Sequence, residues 1–216
     1  MLDYAVENEM LEKNCARNFK FGEELTTKKH HIVFAPDEMS LLVENVRQIP
    51  YLDLIVLQCY TGLRPSEIGN ILVANTHLNE RYFTGGMKTK SGKGRVIPIH
   101  SKIFWIVEKY YNEAIAIGSK YVFNYHDSIA TTTKSASKFT YERYRNAFEF
   151  VVKELGLNPE HKPHDARLQF VTQAKKAKLD EYAIKRIVGH KITDITEAIY
   201  TKRDISWLIE EIEKIE

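Results

Sequence analysis

The chain has 216 residues, of which 44% are hydrophobic, so it can bury a core, and we predict a soluble protein with one main domain. No stretch reaches the roughly 20 apolar residues of a membrane span, and the start of the chain is acidic and amphipathic, unlike a signal peptide, so we expect a cytoplasmic protein without membrane contact. Lys and Arg exceed Asp and Glu by 31 to 29, and a net charge of +2 is too small to indicate a nucleic-acid partner by itself.

The N-terminal part differs in composition from the rest. Residues 5–16 indicate the end of a helix, and residues 21–33 form a polar segment, rich in Thr and Lys, that is typical of a linker. We therefore predict two parts. Residues 1–30 contain the end of a preceding module and a linker, and residues 31–216 form a compact domain.

Most of the compact domain has the apolar periodicity of helices, with Gly, Pro or polar clusters between them. The predicted helices cover residues 36–46, 51–60, 66–72, 102–117, 140–155, 167–177, 182–188 and 204–216. Short segments rich in β-branched residues predict a three-stranded antiparallel sheet from residues 71–79, 81–86 and 95–100. The predicted fold class is therefore α+β and mainly α-helical.

Arg64 lies in the segment TGLRPSEIG, between an apolar helix that ends near Gly62 and a helix that Pro65 begins. The free backbone N–H groups of a helix start and the donor fork of a guanidinium both favour an oxyanion such as a phosphate. Alternatively, Arg64 pairs with Glu67 or another carboxylate, which is the better interpretation for an isolated Arg.

The C-terminal half holds two further polar motifs. In HKPHDAR, His164 and Arg167 are three residues apart, so they share one face at the start of a helix that follows Pro163. An acid or base candidate then lies beside a second phosphate-binding fork, although such a pair has low specificity alone. In IVGHKITDITEAIYT, His190 follows a helix-ending Gly, and Tyr200 lies ten residues later. A Tyr among apolar neighbours usually belongs to the core, so Tyr200 indicates no function by itself.

Basic residues crowd two other segments. The turn before the third predicted strand, GGMKTKSGKGRVIPIH, contains Lys88, Lys90, Lys93 and Arg95. The segment TKSASKFTYERYRNAF interleaves tyrosines with Lys134, Lys138 and Arg143. The second pattern suits a helix that lies against DNA, and a solvated helix face explains it equally well.

The order of these motifs resembles the tyrosine recombinase family, and within it the integrases of phages and conjugative elements. An Arg, a basic hairpin, His-x-x-Arg, Gly-His and a Tyr follow one another over nearly the whole chain. Each motif alone has low specificity for the family, but four motifs in the family order are not explained by chance. The resemblance implies the catalytic fold of this family and the breaking and rejoining of DNA strands.

The resemblance also implies a role for each site residue. Tyr200 is the nucleophile that attacks the scissile phosphate and forms a 3′-phosphotyrosyl link. Arg64 and Arg167 hold the two non-bridging oxygens, whose negative charge grows in the transition state. His164 accepts the proton of the tyrosine, and His190 hydrogen-bonds the phosphate.

In this family, a Lys on the turn between the second and third strands protonates the leaving 5′-oxygen. Lys88 follows GGM directly, in a Lys-Thr pair that related integrases share, so we prefer it to Lys90. For Lys90 and Lys93 we prefer a simpler role, which is to neutralise DNA phosphates. We expect the same DNA-binding role of Arg95, Lys134, Lys138 and Arg143.

The chain departs from the family pattern next to Arg167. Relatives commonly carry His and Thr directly after the second Arg, whereas this chain has Leu168 and Gln169, and Lys202 stands where relatives often have His. Every catalytic position remains. We expect the first change to alter packing or hydrogen bonding behind Arg167.

The last helix has an apolar stripe and an acidic opposite side. It can fold onto its own domain, and in this family it often docks on a neighbouring protomer. The resemblance therefore implies self-association through this helix, as a tetramer on double-stranded DNA. It also implies that residues 1–30 are the end of a core-binding module, so the chain is expected to be a catalytic fragment.

No metal or cofactor is expected, because the arginines stabilise charge and the tyrosine replaces an activated water. The histidines and cysteines do not have the spacing of metal ligands. Cys15 and Cys59 are predicted to be small buried residues, and His30 and His31 to be surface residues.

Three alternatives to a recombinase stay open at this stage. The first is a DNA-binding relative that has lost the chemistry, although the complete set of Arg64, Arg167, His190 and Tyr200 argues against it. The second is a nicking and closing enzyme like the type IB topoisomerases, which share the chemistry. The third is a helical interaction protein without salt-dependent DNA binding.

Overall fold

The computed structural model describes residues 2–14, 31–86, 94–125, 137–194, 197 and 204–216. The chain divides into two compact units, residues 1–30 and residues 31–216. Helix α1 (Leu2–Glu7) belongs to the first unit and lies earlier than the predicted helix end. The assignment of this unit to a core-binding module stays a prediction. Within the described ranges, no helix is long and apolar enough to cross a membrane.

The second unit is mainly helical and contains a small sheet. Its helices are α2 (Pro36–Glu44), α3 (Leu52–Thr61), α4 (Pro65–Ile68), α5 (Ser101–Ala116), α6 (Tyr141–Glu154), α7 (Asp165–Lys176), α8 (Glu181–Val188) and α9 (Ile205–Ile212). Its strands are β1 (Thr76–His77), β2 (Tyr82–Gly85), β3 (Arg95–Pro98), β4 (Asn124–Tyr125) and β5 (Ser137–Lys138). Strands β1, β2 and β3 form an antiparallel sheet in that order, which confirms the predicted fold class.

Helix α3 is the centre of the core. Each of its residues is buried, which explains why its sequence is apolar on all sides. It packs most extensively against α7, and also against α5 and α6. Its buried Asp53 accepts hydrogen bonds from the hydroxyl of Tyr110 at 3.0 Å and from Nζ of Lys109 at 3.1 Å. Cys59 is buried and free, as predicted, whereas Cys15 lies outside the described residues.

The three-stranded sheet is shorter than predicted. The register of β2 and β3 places Phe83 opposite Ile97, and both side chains are fully buried. Before β1, residues Val73–Asn75 form a 3-10 turn, and the hydroxyl of Thr76 donates to the carbonyl of Leu72 at 2.9 Å. Such a local bond competes with strand pairing. Strands β4 and β5 form a second sheet, which we did not predict.

Helix α4 ends at a close approach of two backbone segments. A Cβ atom built on Gly69 would lie 1.7 Å from the carbonyl oxygen of Phe139, just before α6. The φ angle of Gly69 is −70°, which any residue can adopt. The requirement for glycine at this position is therefore steric.

We expect Gly69→Ala to lower the free energy of unfolding by at least about 3 kcal/mol, because backbone atoms must move to relieve the overlap. Urea unfolding followed by circular dichroism measures this loss. The matched control is Gly156→Ala, which has open space around the new Cβ but a φ of +61°. The control should lose about 1 kcal/mol from its left-handed backbone alone. Equal losses in the two variants would contradict the steric explanation.

Candidate active site

Arg64 stands at the junction of α3 and α4. Gly62 ends α3 with a φ of +60°, and Arg64 adopts an extended backbone before Pro65 begins α4. Nη1 of Arg64 donates to Oε1 of Glu67 at 2.9 Å, so the ion pair that we gave as an alternative is present. The side chain of Arg64 is still 17% exposed, and a guanidinium has five N–H donors, so Arg64 can also bind an anion.

Arg95 was expected to contact DNA phosphates, but the structure places it in the interior. Its Nη2 donates to Oε2 of Glu67 at 2.7 Å, and its Nη1 donates to Oε1 at 3.1 Å. Its Nε donates to the carbonyl of Ile187, near the end of α8, at 2.7 Å. The prediction for Arg95 is therefore corrected. A buried guanidinium needs acceptors for its N–H groups, and the buried carboxylate of Glu67 supplies two of them.

Glu67 is the buried carboxylate between Arg64 and Arg95. Burial by itself raises the pKa of Glu67. The hydrogen bonds and charge of Arg95, together with the hydrogen bonds from Arg64, outweigh burial and lower this pKa below its ordinary value. Glu67 is therefore ionised at neutral pH, and it holds the two arginines in a fixed relation.

Arg167 on α7 joins the ends of two other helices. Its Nη1 donates to the carbonyl of Gly62 at 2.6 Å, and its Nη2 donates to the carbonyl of Val188 at 2.7 Å. Burial, and next the charge of Arg64, lower the pKa of Arg167 to about 10, although the charge of Glu67 opposes the change. Arg167 thus remains charged at neutral pH.

His190 follows α8, which Gly189 ends with a φ of +71°. Partial burial and the positive charges of Arg167 and Arg64 lower the pKa of His190. The imidazole is therefore neutral at neutral pH. A neutral ring donates one hydrogen bond and accepts another, which suits contact with a phosphate oxygen.

His164 is the residue before α7 and is exposed. Its carbonyl accepts the backbone N–H groups of Arg167 and Leu168, each at 3.1 Å. The first turn of α7 thus carries an exposed imidazole close to a buried guanidinium. Next to them, at the position where the family pattern changes, Gln169 is buried, and its Oε1 has no hydrogen-bond partner among the described residues.

Asp194 and Glu197, which precede Tyr200 in sequence, are bonded to side chains of α8. Nη2 of Arg186 donates to the carbonyl of Glu197 at 2.9 Å and to its Oε1 at 3.2 Å. The hydroxyl of Tyr182 donates to Asp194 at 2.9 Å, and Asp194 accepts the N–H of Glu197 at 3.1 Å. Sequence reasoning missed these residues, because charges separated by a loop give no periodic signal.

A cavity of about 380 Å³ opens next to residues 190–192, between β3, α8 and α9. Its basic lining residues are Arg95, Lys185, Arg186, His190 and Lys191. Positive charge on the walls of a cleft attracts anions. However, Asp204 also lines the cavity, and Arg95, Lys185 and Arg186 each pair with a glutamate, so most of this positive charge is balanced.

Five predicted site residues lie outside the described ranges, and their roles stay predictions. They are Lys88, Lys90, Lys93, Lys134 and Tyr200. The structure does describe Lys138 and Arg143, and it brings them together. The guanidinium of Arg143 lies 4.3 Å from the ring centre of Tyr125 and donates to the carbonyl of Lys138 at 3.3 Å. Contact of these two residues with DNA also stays a prediction.

We expect Glu67→Gln to lower the free energy of unfolding by about 3 kcal/mol at pH 7, because the buried Arg95 loses its charged partner. The folded-state pKa of Glu67 is lowered, so its stabilising effect is present above pH 4.5 and is lost as the pH falls further. The difference in the free energy of unfolding between the unmodified chain and Glu67→Gln should therefore shrink at acid pH. Urea unfolding at several pH values measures it, with the exposed Glu142→Gln as the control. A constant difference would contradict the ionised pair.

Comparisons with known proteins identify relatives of this chain. Residues 33–206 match the phage integrase family. The tyrosine recombinase XerA of Pyrococcus horikoshii is 30% identical over 184 residues, which make up 82% of this chain and 59% of the relative. The chain thus spans less than two thirds of the length of that relative.

Solved structures have the same fold. The integrase of transposon Tn1549, solved in complex with a circular intermediate DNA, has a TM-score of 0.68 at 18% identity, over 99% of this chain and 75% of that one. A lambda integrase tetramer bound to a Holliday junction has a TM-score of 0.61 at 14% identity, over 94% of this chain and 57% of that one. The family match over most of the sequence, together with the 30% identical relative, shows that the chain belongs to the phage integrase family of tyrosine recombinases.

Proposed function

We propose that this chain breaks and rejoins double-stranded DNA through a 3′-phosphotyrosine intermediate on Tyr200, in the integration and excision of a mobile element. The observation that carries the proposal is that Arg167, in the first turn of α7, donates to the carbonyls of Gly62 and Val188, each two residues before Arg64 and His190 in turn. The charges of Arg64 and Arg167 act on His190, which places the three side chains in one site. Two guanidinium groups beside a neutral imidazole form a site for a phosphodiester, and Tyr200 follows His190 by ten residues in sequence.

The proposed reaction begins when Tyr200 gives its proton to His164. The phenolate then attacks the phosphorus and displaces the 5′-oxygen, which takes a proton from Lys88. Arg64 and Arg167 hold the non-bridging oxygens, so their charges are already in place when negative charge grows on the phosphate. Rejoining reverses the same steps, and the energy of the broken bond is kept in the phosphotyrosine. The reaction needs no cofactor.

We propose a different role for the remaining cations. Lys90, Lys93 and Lys134 neutralise DNA phosphates outside the reacting one, together with Lys138 and Arg143. Arg95 is not in this group, because it is buried and donates hydrogen bonds to Glu67. Support for DNA as the partner comes from two relatives of the same fold, which were solved on a circular intermediate DNA and on a Holliday junction. A DNA substrate also implies a cytoplasmic location.

The lambda integrase neighbour is a tetramer, and we propose the same state for this chain on DNA. In the single chain, α9 packs on its own domain, with Leu208 and Ile212 buried and with Glu213 accepting the N–H of Ser101 at 2.9 Å. Self-association through α9 therefore requires this helix to exchange these contacts for those of a neighbouring protomer.

We expect the unmodified chain, and not Tyr200→Phe, to form a covalent complex with a nicked duplex that carries the end of the element. Denaturing electrophoresis without added metal detects the complex. Tyr111→Phe on α5 is the matched control and should react like the unmodified chain. If DNA binds but neither protein forms the complex, the chain is a non-catalytic DNA-binding relative. Relaxation of a supercoiled plasmid without the site would instead indicate a topoisomerase-like enzyme.

A second experiment tests the role of Lys88. Lys88→Ala should slow cleavage of an ordinary phosphodiester by about 100-fold, because the 5′-oxygen then leaves without a proton. A substrate with sulfur in place of that oxygen should restore the rate, since a thiolate leaves without protonation. Lys90→Ala is the control, and its defect should be in DNA affinity. Restoration by sulfur in Lys90→Ala and not in Lys88→Ala would exchange the two roles.

A further inference from the structure

A chain of hydrogen bonds beside His164 has no role in the reaction described above. Nδ1 of His31 lies 2.8 Å from Oδ1 of Asp165, and the other oxygen of Asp165 lies 3.2 Å from Nδ1 of His161. Nε2 of His161 lies 3.1 Å from Oε2 of Glu38. The carboxylate of Asp165 is completely buried, and it follows His164 directly in sequence.

Asp165 is the shared partner in this series of hydrogen bonds. Asp165 also takes the backbone N–H of Lys162 at 2.8 Å. Each carboxylate oxygen of Asp165 thus lies within hydrogen-bond distance of the Nδ1 atom of one histidine, His31 or His161. This arrangement, a histidine held by a buried carboxylate, is the one that orients a catalytic base in hydrolases.

The hydrogen bonds of His161 with Asp165 and Glu38 have a structural role. Burial raises the pKa of Glu38, but the backbone N–H groups of Asn158 and Ala35 and the hydrogen bond of His161 lower it below its ordinary value. Glu38 is therefore ionised, and His161 links it to Asp165, which joins α2 to α7. No three His, Cys, Asp or Glu side chains of the described ranges are grouped as metal ligands.

His31 is more exposed than the other members of this series of hydrogen bonds. Its side chain is 37% exposed, whereas those of His161 and Asp165 are fully buried. Its ring centre lies 5.8 Å from the ring centre of His164, with the two planes tilted by 59°. An exposed ring adds little to the core, and this distance places the ring of His31 beside that of His164.

We propose that His31, held by Asp165, is a positioning residue for His164 in DNA cleavage. The inference rests on the proposed function. When the O–H bond of Tyr200 breaks and an N–H bond forms on His164, the ring of His164 becomes positive, and the electron pair left on the tyrosine oxygen forms the bond to phosphorus. The His31–Asp165 pair fixes the ring of His164 for this transfer and stabilises its positive charge. His31 keeps its own Nδ1 proton throughout.

A double-mutant cycle on the nicked duplex tests this inference by single-turnover cleavage at saturating protein. His31→Ala should slow cleavage roughly 10- to 100-fold with unchanged DNA affinity, because the proton acceptor loses its geometry. His164→Ala should slow it by about 100-fold. If His31 acts through His164, the double variant should be no slower than His164→Ala. Multiplied defects in the double variant would overturn the inference.

Two further variants separate positioning from folding. His31→Asn keeps an N–H donor for Asp165, so it should restore the thermal stability of the unmodified chain but not its cleavage rate. Recovery of the rate as well would show that His31 only satisfies Asp165, and would overturn the inference. The matched control is His77→Ala, a histidine stacked on Tyr82 in the sheet, which should cleave normally.

The same measurements distinguish the two proposals from each other. A chain that forms the Tyr200 complex but shows no slower cleavage in His31→Ala contradicts only the inference. An unmodified chain that forms no covalent complex contradicts the proposed function, and the inference falls with it.

Discussion

A guanidinium can leave water only where acceptors take its N–H groups, and this constraint organises the whole site. Glu67 meets Arg95 in the interior, and Arg95 also donates to a carbonyl near the end of α8. Arg167 meets the same requirement with the backbone carbonyls of Gly62 and Val188. Each bond joins segments that are far apart in sequence. The buried charges therefore hold the ends of α3, β3 and α8 in one arrangement. This arrangement fixes the positions of the nearby residues that face solvent.

The same arrangement leaves an excess of positive charge. Glu67 faces both Arg64 and Arg95. Burial, and next the charge of Arg64, lower the pKa of the nearby Arg167 to about 10, although the charge of Glu67 opposes the change. The pKa of His190 falls for related reasons, namely partial burial and the neighbouring arginines. An anion that enters would relieve this repulsion, which supports the proposal that the site binds a phosphate. In the proposed reaction, His190 adds a hydrogen bond without adding charge, and the arginines supply the charge that the transition state needs.

Local patterns predicted the features that depend on local structure. Apolar periodicity, with Pro and Gly at the boundaries, predicted α3 and α7 to within about two residues, and Arg64 and His190 were found because each follows a helix that ends in glycine. Arg95 shows the limit of this reasoning. Its strand was predicted correctly, but its partner Glu67 is 28 residues away, and no pattern within the strand indicates an ion pair in the core. Strands β4 and β5 have two residues each, which is too short for any alternation.

The first turn of α7 shows why part of the site requires three dimensions. Asp165 lies between His164 and Arg167 in sequence, yet its carboxylate is bonded to His31, which is 134 residues earlier, and to His161. Successive residues of a helix lie about 100° apart around the axis, so one turn can present an exposed imidazole, a buried carboxylate and a buried guanidinium. The motif in the sequence gives the order of these groups. Which of them faces the phosphate, and which supports it from the interior, follows from the rotation of the helix and from the distant residues that pack against it.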